Sequence, residues 1–157
     1  MKIALLTILF IVSVTTSALA RLGENADELV ARYGPPLSEK DQKGEGDKIS
    51  LAYVVFQKGG FEIDATLSNG ISVAESFKKI NGEALTIGEI RTLLSANSQG
   101  YEWEAPHVAQ GGKDWTRDDN ATARLGQDGS LTIRSRELTS KEALAKKLER
   151  APSLEGF

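Results

Sequence analysis

Residues 49–79 read ISLAYVVFQKGGFEIDATLSNGISVAESFKK, and this stretch decides the architecture. Strands are expected over Ile49–Phe56, Phe61–Leu67 and Ile71–Phe77. Gly59-Gly60 separates the first pair and Asn69-Gly70 the second, and both dipeptides tolerate the positive φ angles of a tight hairpin turn. An antiparallel meander follows. Phe61, Ile63, Ala65 and Leu67, then Ile71, Val73 and Phe77, alternate with Glu62, Asp64, Thr66, Ser72 and Ser76. Period-two alternation puts the apolar set on one face and leaves the polar set open to water or to a partner.

Upstream, Asn25 is an N-cap with Glu28 three residues on, and Ala26, Leu29, Val30 and Tyr33 recur at helical spacing until Gly34 and Pro35-Pro36 stop the helix. Burying Leu29, Val30 and Tyr33 is worth about 1.5 to 3 kcal/mol each, more than propensity supplies to so short a helix. The helix is therefore expected on the apolar face of the sheet. Ser38–Lys48 carries no apolar residue and reads as an exposed loop.

At the start of the chain, Lys2 precedes an apolar run from Ile3 to Val14, and Ala18-Leu19-Ala20 has the small-x-small form cut by signal peptidase. A secretory signal is expected over 1–20. An uncleaved anchor fits less well, because about 12 apolar residues span only about 18 Å of helix against a ~30 Å hydrocarbon core. No cysteine is present, which excludes both disulfides and the lipid attachment of a lipoprotein. Removing 1–20 from 157 residues leaves 137, enough for a core without a metal or disulfide staple, and no integral membrane span. Of 19 basic residues only Lys2 falls in the signal, so 18 face 22 acidic residues and the mature formal charge is −4. That balance argues against nucleic acid as a partner.

Downstream of the meander the pattern starts again. Thr86 caps a helix with Glu89 at the third position, Ile87, Ile90, Leu93 and Leu94 form its stripe, and Asn97 and Gly100 end it. From Trp115 a second set of strands follows, with Ala121, Ala123 and Leu125 running into a turn at Asp128-Gly129 and Leu131 and Ile133 running out. The offset stays near 60 residues from Leu29 against Ile90 to Val73 against Ile133. Such a period implies two tandem helix-plus-meander units, over 21–82 and 83–138, in an α+β fold. A C-terminal helix and tail are expected over 139–157, with Thr139 as cap, Glu142 closing the box, Leu144 and Leu148 one turn apart and Pro152 as the stop.

The helix ending in Tyr33-Gly34-Pro35-Pro36, the polar loop, and the meander with Tyr53, Phe56 and Asn69-Gly70 resemble the small envelope proteins of the SmpA/OmlA family. The doubled unit is similar to the β-lactamase inhibitor protein fold. That resemblance implies two helix-plus-sheet repeats joined into one sheet with helices on one face, and a protein-binding role. This chain lacks the lipobox cysteine of the first group and the disulfides of the second, so no functional residue is carried over.

Catalytic chemistry has little to work with. His107 is the only histidine, and with no cysteine any nucleophilic triad must use it. It follows Tyr101-Glu102-Trp103-Glu104-Ala105-Pro106, a loop-like run without a G-x-S-x-G turn. Glu102, Glu104 and His107 match no established metal spacing, and the glycine pairs at 59–60 and 111–112 precede no phosphate-binding helix start. No catalytic residue, metal ligand or cofactor is assigned. Lys141, Lys146, Lys147 and Arg150 read as the wet face of the last helix, with contact to anionic lipid as the alternative. Trp115 is expected in the core, whereas Trp103, among glutamates, reads equally as a core residue or as a candidate interface anchor. On the polar strand faces Glu62 and Asp64 mark the first unit, and Arg124, Arg134 and Arg136 the second. The expectation is a secreted or periplasmic binding module, not an enzyme, presenting this face and Trp103 to a protein partner. A structural envelope component is the alternative, and a small hydrolase stands third.

Overall fold

A computed structural model describes residues 21–42, 51–109 and 111–141. The expected signal over 1–20, Ile49, and the C-terminal segment with Glu142, Leu144, Lys146, Lys147, Leu148, Arg150 and Pro152 lie outside the described residues.

Helix α1 spans Ala26–Tyr33 and opens with the expected reciprocal cap: Glu28 N–H donates to Asn25 Oδ1 (3.0 Å), and Asn25 N–H donates to Glu28 Oε2 (2.8 Å). Leu29 and Tyr33, one turn apart, are buried, while Val30 is 41% exposed and drops out of the expected stripe. The reason is geometric: Val30 lies about 100° around the helix from Leu29, and eight residues bury only a narrow face.

Ser38–Gln42, read as loop, is strand β1, paired antiparallel with β2 (Leu51–Lys58). Then come β3 (Phe61–Ser68) and β4 (Ile71–Lys79), joined at the anticipated turns. Gly59 and Gly60 have φ of 58° and 85°, and Asn69 and Gly70 have 52° and 78°, so both hairpins turn with two successive positive φ angles.

Helix α2 (Ile87–Ala96) repeats the capping box through Thr86 and Glu89 and buries Ile90, Leu93 and Leu94. Ile87, its first residue, is 67% exposed and is not part of the buried stripe. The chain continues through β5 (His107–Ala109), β6 (Gly112–Thr116), β7 (Thr122–Leu125) and β8 (Leu131–Arg134). A third helix, α3, is described over 136–141. Its cap is Ser135, whose Oγ accepts from Leu138 N–H (3.3 Å) and whose carbonyl accepts from Thr139 N–H. Thr139 is therefore inside the helix, and Arg136 is its first residue rather than a strand residue.

The eight strands of the described residues form one antiparallel sheet in the order β1-β2-β3-β4-β8-β7-β6-β5. The two meanders thus meet through their last strands, with Ala74 opposite Arg134 and Phe77 opposite Leu131. A single buried cluster gathers Leu29 and Tyr33 from α1, Ile90, Leu93 and Leu94 from α2, and Val54, Phe56, Ile63, Ala65, Leu67, Phe77, Trp115, Ala123, Leu131 and Ile133 from the strands. Trp115 is in the core, as expected.

Between Thr66 and Leu67 the β3–β4 register shifts: Leu67 faces Ser72 and Thr66 faces Ala74, leaving Val73 as the extra residue of a bulge. Ser72 is thereby carried to the core side with Glu75 and Phe77. The Glu75 carboxylate is fully buried there, accepting from Tyr33 Oη (2.9 Å) and Ser72 Oγ (3.0 Å).

Candidate functional site

Because Val54 opposes Ala65, Phe56 opposes Ile63 and Phe77 opposes Leu131, these positions define the core face, and their neighbours define the open one. Tyr53, Val55, Glu62, Asp64, Thr66 and Ser76 therefore share the open side of the first meander. Thr132 and Arg134 on β8, Thr122 and Arg124 on β7, and Asp114 and Thr116 on β6 continue it. Four of the six anticipated surface residues, Glu62, Asp64, Arg124 and Arg134, come together on this face.

Their division by sign is incomplete. Lys78 stands directly opposite Glu62, and Asp114 Oδ2 lies 3.6 Å from Arg124 Nη1, so each half carries both charges. Burial, reinforced by Glu62, raises the Asp64 carboxyl above the usual carboxylate range. Arg136 is exposed on α3, outside the strand array.

Trp103 is elsewhere. Half-buried and packed against the core cluster, its indole Nε1 donates to the Leu94 carbonyl (2.8 Å). The Arg117 guanidinium, only 2% exposed, sits 5.5 Å from the Trp103 ring centroid and 5.5 Å from that of Tyr101. It binds Asp119 through two bonds (2.7 and 2.9 Å), donates to the Asn97 carbonyl, and reaches Gln99 Oε1 (3.0 Å). This contact with Arg117 holds the Asp119 carboxyl below its ordinary range. Trp103 and Arg117 thus fasten the loop after α2, and the indole is spent on that fastening rather than offered at the open face.

The open face of the second meander is concave. A hollow of about 530 Å³ lies over β5 to β8, with His107 and Asp114 on one side and Arg124, Thr132 and Arg134 on the other. His107 stands opposite Asp114 and is exposed on the edge strand. Thr132 Oγ1 donates to Ser76 Oγ (3.1 Å) across the joint between the meanders. Thr139 Oγ1 of α3 approaches Thr122 Oγ1 at 3.3 Å, which places this part of α3 beside the open face.

Glu102 and Glu104 are exposed, and among the described residues no three of histidine, aspartate and glutamate gather as a metal site. Also among the described residues, no helix is long and apolar enough to cross a membrane.

Asp114, Thr116, Thr122 and Thr132 were not anticipated, although each alternates with a core residue, Trp115, Ala121, Ala123 or Leu131, that already fixed its face. Glu75 was missed too. Strict alternation sets it on the same side as Phe77, and a lone acid on an apolar face was the signal.

No protein-family model, no curated protein and no solved structure matches this chain.

Proposed function

We propose that the protein is an exported binding module that meets a protein partner with the open face of its sheet. The observation carrying this reading is the hollow over β5 to β8, flanked by exposed Arg124 and Arg134, on the sheet face turned away from the buried cluster. Export is supported by the signal-like pattern over 1–20. A binder is favoured over an enzyme because the single histidine stands exposed on a three-residue edge strand.

The chain further reads as two copies of one unit. Capping boxes at Asn25–Glu28 and Thr86–Glu89 each introduce a helix followed by four antiparallel strands, and the strand order is symmetric about the β4–β8 joint. Two like units joined last strand to last strand make a surface wider than either alone, suited to a protein rather than to a small ligand.

Site-specific photocrosslinking tests the reading. A benzophenone side chain replacing exposed Asp64, on the open face, is expected to yield a discrete heavier adduct in expressing cells of the native host, whereas one replacing exposed Arg91 on α2 is not. Equal adducts from both positions, or none from Asp64, would overturn it.

A further inference from the structure

We infer that Asn120 is an acceptor for an N-linked glycan, attached during export at the turn between β6 and β7. The inference rests on the export proposed above and goes beyond that reading, because it needs neither the open face nor a protein partner. The chain holds five asparagines, Asn25, Asn69, Asn81, Asn97 and Asn120. Only Asn120 has a hydroxyl residue two positions on, in Asn120-Ala121-Thr122, with no proline between. That is the acceptor triplet of N-glycosylation, and the context it needs is a surface loop of an exported chain.

The turn supplies that context. The Arg117 N–H donates to the Ala121 carbonyl (2.8 Å) and the Asn120 N–H to the Arg117 carbonyl (2.7 Å), which closes a tight turn between the two strands. Asp119, gripped by Arg117, accepts from the Ala121 N–H (3.2 Å). None of these bonds uses the Asn120 side-chain amide, and Asn120 is exposed. Its φ of 71° is left-handed, a region that asparagine tolerates. Asn69 has such a φ too, 52°, yet Ile71 stands two residues on, so left-handed backbone accounts for an asparagine and not for the triplet. Asp118, also exposed, lies two residues before the acceptor and offers a transferase a charge to grip.

Transfer is a substitution at the sugar. Asn120 Nδ2 forms a bond to the anomeric carbon of a lipid diphosphate-linked oligosaccharide, and the bond from that carbon to the phosphate oxygen breaks. The lipid diphosphate leaves with the electron pair, and one Nδ2 proton passes to a base of the transferase. In the folded chain Thr122 Oγ1 lies 3.3 Å from Thr139 Oγ1 and Ala121 is fully buried. A transferase that holds all three residues of the triplet therefore reaches them before β7 pairs with its neighbours. Once the sheet has formed, the glycan sits at an exposed hairpin tip, where its bulk displaces no core residue.

The test is mass spectrometry of the full chain recovered from the extracytoplasmic fraction of its native host. Trypsin, cutting after Arg117 and Arg124, releases Asp118–Arg124. This fragment is expected to be heavier than its sequence by the mass of a saccharide, with fragmentation placing the addition on Asn120. Asn120→Asp, which keeps the size and the tolerance of positive φ, should lose the addition entirely. Thr122→Val, which keeps the branched shape without the hydroxyl, should lose it too, whereas Thr122→Ser should keep it. Circular dichroism confirms that each variant is folded. An exported wild type with a bare Asn120, or an addition that survives Asn120→Asp, would overturn the acceptor and leave the open face untouched. A wild type retained in the cytoplasm would overturn export and acceptor together. A glycosylated chain that gives no adduct from Asp64 would instead keep the acceptor and remove the open face.

Discussion

Glu75 sits under α1 with two hydroxyls donating to it, and burial raises its carboxyl above the ordinary range against the lowering effect of Tyr33 and Ser72. The same burial pushes the Tyr33 phenol up. Below the unfolded value of 4.5 the carboxyl is protonated in both states and costs nothing. As pH rises the unfolded chain ionises first, so stability falls across the window above 4.5. Glu75→Gln, which cannot ionise, should therefore have a higher urea midpoint than wild type at pH 8, with the two converging toward pH 4. A wild type that gains on the variant with rising pH would refute this. Tyr33→Phe removes one donor from the buried carboxyl and should cost about 1 to 3 kcal/mol in the same melts. At this scale the sequence was legible where one rule applied: alternation put Trp115 inside and Arg124 and Arg134 outside. Trp103 could not be placed that way, because its surroundings in sequence are acidic whereas its contacts, Leu94 and Arg117, come from segments 9 and 14 residues away.

Turns make the clearest comparison between elements. Gly70 has φ of 78° with no atom within 4 Å of the position a Cβ would take, so its only constraint is conformational. Gly129 has φ of 77°, and a Cβ there would lie 2.7 Å from Ala84 Cα. Gly70→Ala should thus cost about 1 to 2 kcal/mol. Gly129→Ala should add roughly 1 to 3 kcal/mol more, because backbone between β4 and α2 must move. Denaturant midpoints of the two variants measure the difference, and equal costs would mean that the Ala84 contact yields freely. The hairpin turns and both capping boxes could be read in advance because each is a local device. By contrast, β1 has no apolar residue to announce it. Its backbone pairs with β2 while its described side chains stay in water, and its charges suit an edge that must not recruit another strand. The start of α3 was misplaced because Ser135 and Thr139, one turn apart, are both good caps, and only the path out of β8 chooses between them.

Across the molecule, the last strands of the two meanders pair, and the core runs through both without a break. Phe77, fully buried, lies between Ile63 and Leu131 and so ties one half to the other. Phe77→Ala should cost about 3 to 5 kcal/mol. The wild type should unfold in one step, with tryptophan fluorescence, reporting from Trp103 and Trp115 in the second half, coinciding with far-ultraviolet circular dichroism from the whole sheet. Separate transitions would mean that the halves fold alone. Period-two patterns say which face is buried and not which edges meet, so the β4–β8 joint could be learned only from the structure.

Leu22, only 3% exposed, is held by its backbone: its N–H donates to Asn97 Oδ1 (3.0 Å), and its carbonyl accepts from Gln99 Nε2. Those partners lie 75 and 77 positions later, in the loop that Arg117 fastens. A ribosome or a translocation channel delivers this chain from its beginning, so Leu22 emerges long before anything exists to receive it. Closing so distant a contact is slow and comes after the local hairpins. The clip is therefore a finishing step in time: Gly23 and Glu24 can pair with Ser72 once β4 exists, but Leu22 stays unclipped until Asn97 and Gln99 have emerged, and the molecule completes itself only when its second half reaches back for it.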